Sequence, residues 1–148
     1  MDLKKSVAFL YACLAALVAC SVMAQTPSLV VRDAWTRQTP GSDVAAVYLT
    51  LRNVSSQPIV VIGVQSLVAS HAMIHESTTE NGQSKMRPHE QLVIPAGQTV
   101  KLEPGGLHVM LHGLTRSLAV GESVPLVLLL EGGGTVQATA QVRPLNAQ

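Results

Sequence analysis

The sequence predicts an all-β protein, an antiparallel Greek-key β-sandwich, and three observations lead there. Short runs of β-branched residues and leucine alternate with polar residues at a period of two. Turn formers separate these runs at regular intervals, from Pro40-Gly41 through to Gly132-Gly133-Gly134. No stretch sustains a helical period with caps. Roughly seven to nine strands at this spacing match a sandwich better than a sheet covered by helices.

Taken in order, Val44 to Leu51 alternates, with Val47, Leu49 and Leu51 on one face and Tyr48 and Thr50 on the other. Asn53 and Ser55-Ser56 end it, and Pro58 to Val64 forms the next apolar run. Asn81-Gly82 is a strong short hairpin signal, because a type I′ turn needs positive φ at both central residues. With those two at the turn, Glu80 pairs with Gln83 and Ser77 with Met86. Gln91 to Ile94 and Thr99 to Leu102 flank Pro95-Ala96-Gly97, and Leu107 to Leu111 follows Pro104-Gly105-Gly106. Val124 to Leu130 and Thr135 to Val142 close the chain around the triple glycine.

Composition agrees. The chain is 47% hydrophobic, 13% charged and 3% aromatic, which excludes a disordered protein. Ten Lys+Arg face nine Asp+Glu, so there is no basic stripe to hold nucleic acid. Residues 1–24 read as a cleavable export signal: Lys4 and Lys5 precede an apolar run from Ser6 to Cys20, and Val22-Met23-Ala24 is a small-x-small cleavage site. The alternative is a lipoprotein signal ending before Cys20, since Leu17-Val18-Ala19-Cys20 fits a lipobox; only then would the protein meet a membrane. Either way the mature protein is expected outside the cytoplasm, with residues 25–148 as a single domain, expected as a monomer. After cleavage at Ala24 no cysteine remains, and the aromatic residues are reduced to Trp35 and Tyr48, so the core must be aliphatic.

The soft donors are not spread evenly. After the signal, five His and three Met all lie between His71 and His112. Met in a sandwich core is a gap-filler and should scatter. Thioether and imidazole together select a soft ion, and Cu(I) fits best. In the hairpin register, His75 shares a face with Ser77 and lies diagonal to Met86, within reach of one ion. His108, Met110 and His112 stand at i, i+2 and i+4, on one face of one strand. The predicted ligands are therefore His75, Met86, His108 and Met110. His112 has the right face but lies two residues beyond Met110, and is kept as an auxiliary candidate. His71 and His89 fit ordinary surface histidines, and Met73 fits packing.

The spacing His75-x10-Met86-x21-His108-x-Met110 resembles the signature of the periplasmic copper chaperone family PCu(A)C. The neighbouring Lys85-Met86-Arg87-Pro88, Ile94-Pro95-Ala96-Gly97 and Leu102-Glu103-Pro104-Gly105-Gly106-Leu107 agree with it, as do Asp33-Ala34-Trp35 and Ala45-Ala46-Val47-Tyr48-Leu49 upstream. The resemblance implies a cupredoxin-like sandwich with a solvent-accessible Cu(I) site on those four side chains. It also implies delivery of copper to the apo CuA domain of cytochrome c oxidase subunit II, alongside a Sco-type protein. Some relatives have a second Met just after the first His, where Glu76 and Ser77 stand here. Some carry a His- and Met-rich C-terminal tail that takes Cu(II); this chain ends in Arg143-Pro144-Leu145-Asn146-Ala147-Gln148, so no such tail site is expected.

The residues themselves suit transport. A blue-copper carrier needs a Cys thiolate and a CuA centre needs two, and the mature chain has none. Thioethers bind without deprotonation and form no disulfides, so they stay competent in an oxidising compartment. No enzyme is expected: there is no G-x-S-x-G elbow, and His75-Glu76 and His89-Glu90 lack the second His of H-E-x-x-H. Asn53-Val54-Ser55 is a glycosylation sequon by pattern only. The readings that compete with a chaperone are a copper buffer without a dedicated acceptor and a metal-free interaction module.

Overall fold

The computed structural model describes residues 28–37 and 39–147; the export signal, with Cys13 and Cys20, lies outside them. Ten strands follow one another: β1 (Leu29–Arg37), β2 (Val44–Asn53), β3 (Ile59–Gln65), β4 (Ala69–Glu80), β5 (Gln83–Pro88), β6 (Leu92–Ile94), β7 (Thr99–Leu102), β8 (Leu107–Leu114), β9 (Ser123–Leu130) and β10 (Thr135–Arg143). There is no helix among the described residues. The all-β expectation holds, with one strand more than the upper count.

The additional strand is β1, and its sequence explains why periodicity passes over it. Val31 pairs with Leu51 and Arg32 with Thr50, but the next partners are Trp35 and Tyr48, so Asp33 and Ala34 form a bulge. Asp33 has φ of 52°, a left-handed backbone that Asp tolerates better than most residues. The bulge reverses the alternation. Leu29 is buried before it and Thr36 after it, and Trp35 is turned to the outer face.

The strands run in the order β5-β4-β8-β2-β1-β10-β9-β3-β6, with β7 also pairing β2. β2 is long enough to serve two partners along one edge. Its first half pairs β8 and its second half pairs β7, while β1 occupies the other edge. β1 and β10 run parallel, which departs from the antiparallel expectation. The reason is that β1 and β10 are not hairpin partners: β1 turns into β2 and β10 returns from β9, so the chain directions at their shared edge coincide.

The ladder closes over an aliphatic core. Val47, Leu51, Val61, Ile94, Val109, Leu111 and Leu126 are all essentially inaccessible, and among the described residues no aromatic one is counted with the buried hydrophobics. Each such side chain contributes about 1.5–3 kcal/mol relative to exposure. Asn53 is the polar exception. Its amide donates to the carbonyls of Gln57 at 2.7 Å and Ile94 at 3.0 Å, and its Oδ1 accepts from the amide and hydroxyl of Ser55. That arrangement ties the β2 end to β6, and its complete burial removes the sequon from any modifying enzyme.

Candidate metal centre

Local turn chemistry sets the first part of the site. Asn81 and Gly82 have φ of 52° and 77°, both positive as a type I′ hairpin demands. The β4–β5 register follows from it: Glu80 opposes Gln83 and Ser77 opposes Met86. Met86 therefore shares a face with Ser77 and His75, as expected, and is about half exposed.

The second part depends on long-range pairing. β8 lies along the other edge of β4, antiparallel, with His75 opposite His108, Met73 opposite Met110 and His71 opposite His112. Cross-strand partners share a face, so these six side chains stand together on the face of the sheet opposite the core. Ile74, Val109 and Leu111 point the other way into the core. Ala46 on β2 is the partner of Met110. The structure thus brings His75, Met86, His108 and Met110 onto one face from three adjacent strands.

His75 and His108 are buried, at 8% and 4% exposure. Their ring centroids are 6.0 Å apart. The Nδ1 of His108 lies 3.0 Å from the carbonyl oxygen of Gly106. A carbonyl only accepts, so that nitrogen carries the proton and Nε2 is left with a bare lone pair, the form a metal needs. The turn beneath it holds that carbonyl in place. Gly106 donates its amide to Glu103 O at 3.1 Å, with Pro104 and a positive-φ Gly105 between, the arrangement of a type II turn. The same Gly106 carbonyl accepts from the Ser77 amide at 3.1 Å, which links the turn to the strand that carries His75.

His75 differs. Its Nδ1 is buried and has no hydrogen-bond partner. An orphaned imidazole nitrogen is costly inside a protein and fits a position meant for another ligand. Burial, then the neighbouring His108, His112 and His71, holds its pKa below the ordinary histidine value, so the ring stays neutral and available. Among the described residues no three His, Cys, Asp or Glu side chains are placed to hold one ion. An ion on this face must take thioethers or accept two ligands.

The remaining candidates separate clearly. His112 is half-buried, and its ring centroid is 5.8 Å from that of His75, as near as His108 is. His71, read from sequence as an ordinary surface residue, lies on the same face with its ring 6.4 Å from His112. Met73, expected to be packing, faces away from the core and opposes Met110. The signal that could have singled out these two is the period-two series His71, Met73, His75, which mirrors His108, Met110, His112. His89 does lie elsewhere: its amide bonds to Ile74 O at 2.8 Å, giving it the parity of the core face, and its ring is 3.9 Å from Glu76. Beyond the His cluster, Tyr48 has its ring 6.4 Å from that of His108 and packs on Trp35 at 4.7 Å.

Comparison with known proteins agrees with this architecture. The solution structure of CuI-DR1885 from Deinococcus radiodurans is 36% identical, with a TM-score of 0.65 over 86% of this chain and 87% of that one. The copper-bound PCuAC domain from PmoF2 is 24% identical, with a TM-score of 0.65 over 79% of this chain and 93% of that one, a likeness of fold alone. The fold is thus the cupredoxin-like β-sandwich. A protein of Leifsonia xyli subsp. xyli named "Putative lipoprotein Lxx21020" is 34% identical over 129 residues, 83% of this chain and 77% of its own. The LpqE-like family model matches residues 29–142, essentially the whole sandwich from β1 to β10, and the chain belongs to that family.

Proposed function

We propose that the protein is an exported Cu(I) carrier that holds one ion on His75, Met86, His108 and Met110 and passes it on by ligand exchange. The observation that carries this reading is the convergence on one face of two buried imidazoles and two thioethers from β4, β5 and β8. Two neutral His and two neutral Met favour Cu(I) over Cu(II) by softness. The likeness to a protein solved in its CuI form supports the same ion.

The placement of the ligands suits release. His75 and His108 are buried and anchor the ion, whereas Met86 sits half exposed on the edge strand β5. An acceptor's sulfur can approach from that side and displace the Met86 thioether while the imidazoles still hold the metal. The family resemblance points to the CuA centre of cytochrome c oxidase subunit II as the recipient, with a Sco-type protein as co-worker. The lipoprotein names of the family and of the Leifsonia relative favour processing at Cys20 and anchoring in the membrane, above cleavage after Ala24. A periplasmic copper buffer is the second reading, favoured by the surplus of donors on the same face.

Anaerobic titration against a Cu(I)-chelating chromophore tests binding, and mixing the loaded protein with an apo CuA domain tests delivery. Transfer supports a carrier, retention of copper supports a buffer, and failure to bind Cu(I) removes both. Mass spectrometry of the mature N-terminus decides between Cys20 and Gln25.

A further inference from the structure

The ligand face holds more donors than one ion uses. His71 and His112 lie one rung beyond Met73 and Met110 and oppose each other directly across β4 and β8, with ring centroids 6.4 Å apart. Two imidazoles on opposite sides of one d10 ion, each with a metal–nitrogen bond of about 2.0 Å, hold their ring centres roughly 6 Å apart. The pair has the spacing of a two-coordinate site. His71 is exposed and His112 half-buried, so this position opens to solvent, unlike the buried His75 and His108.

The four rings also form a continuous zigzag between the strands. His71 to His112 is 6.4 Å, His112 to His75 is 5.8 Å, and His75 to His108 is 6.0 Å. No step is longer than the one that brackets the proposed outer ion, so the series has no gap. The unpartnered Nδ1 of His75 sits in the middle of it.

We propose that His71 and His112 form a second Cu(I) position, weaker than the four-ligand site, from which copper passes through His75 into that site. In the transfer, a bond from His75 to copper forms as the bond from His71 breaks. Bonds from His108, Met86 and Met110 then form as the bond from His112 breaks, and the metal keeps its oxidation state throughout. The outer position is weaker because it has only two neutral ligands and stands open to water. This inference rests on the reading that the inner site binds Cu(I).

Anaerobic titration of the processed, exported protein with Cu(I), and in parallel with redox-inert Ag(I), tests it when histidine ring signals are followed by NMR. The first equivalent is expected to move the His75 and His108 signals, and a second to move those of His71 and His112. His71→Ala should lose the second equivalent and keep the first at native affinity, and His112→Ala should lose the second as well. The inner site of His71→Ala should also fill more slowly from a Cu(I) chelate. A single equivalent in the native protein, or two in His71→Ala, overturns the second position while the inner site stands. Equal filling rates overturn the transfer step. No bound metal at all overturns the reading of the inner site together with this one.

Discussion

The carbonyl oxygen of Gly106 accepts two hydrogen bonds, from His108 Nδ1 at 3.0 Å and from the Ser77 amide at 3.1 Å. One backbone atom thus orients the His108 imidazole and fastens its loop to the strand opposite Met86. Free histidine prefers no such arrangement. In the metal-free protein at neutral pH, long-range nitrogen-15 NMR of the ring should show His108 protonated at Nδ1, with Nε2 unprotonated. A protonated Nε2 would contradict the geometry.

Removing the thioethers should separate binding from folding. Met86 is half exposed and Met110 lies on the outer face, so Met86→Ala with Met110→Ala should leave the unfolding midpoint near that of the native protein. Cu(I) affinity should fall by roughly tenfold or more, since even residues that only support a ligand are worth about 10–100-fold. Competition with a chromophoric chelator measures it.

Acid should act through His75. Its folded-state pKa lies below the ordinary value of 6.5 because of burial first and the neighbouring imidazoles second. The unfolded chain therefore takes up the proton before the folded one does. The stability linked to His75 is complete above that ordinary value and declines as pH falls towards the lowered folded value. Denaturant unfolding from neutral to mildly acidic pH should show the loss, and His75→Gln should make the profile flatter.

Gly113 is the position where a glycine is required twice over. Its φ is 61°, and an added Cβ would fall on the Ser70 hydroxyl and lie 3.2 Å from the Ser70 Cβ. Ser70 in turn donates to the His112 carbonyl at 3.1 Å, so the close approach sits beside a candidate ligand. Gly113→Ala should destabilise the fold by about 1–3 kcal/mol, combining backbone strain with overpacking. Chemical denaturation gives the value.

Asn53 should prove the most sensitive polar residue in the core. Replacing it with Ala removes the side-chain donor to Ile94 O, one of the two donors to Gln57 O, and the acceptor of the Ser55 amide. A loss of about 2–4 kcal/mol is expected, from orphaned buried groups and the cavity together. Thermal unfolding of Asn53→Ala, with Cu(I) affinity measured below the midpoint, should show a folding defect and an intact site.

Much of the β4–β5–β8 region was legible in advance because its rules are local. A two-residue Asn-Gly turn dictates its own register, so Ser77 opposite Met86 follows from residues ten apart or fewer. Alternation within one strand puts His108, Met110 and His112 on a common face whatever surrounds them. β1 was not legible, because the bulge at Asp33 reverses the alternation that identifies a strand. That His71 and Met73 oppose His112 and Met110 was hidden for another reason: it depends on which strand lies beside β4.

The sequence by itself determined the class of fold, the aliphatic character of the core, the hairpin around Asn81-Gly82 and the concentration of soft donors in one segment. These follow from side-chain type and from the short-range geometry of turns and strands. Tertiary structure alone decided that β8 lies against β4, with His75 opposite His108 and His71 opposite His112. That register joins residues more than thirty positions apart, and burial of Ile74, Val109 and Leu111 on the inner face enforces it. A slip of one residue would turn the His and Met series inward, so the packing of the core holds the outer face in line.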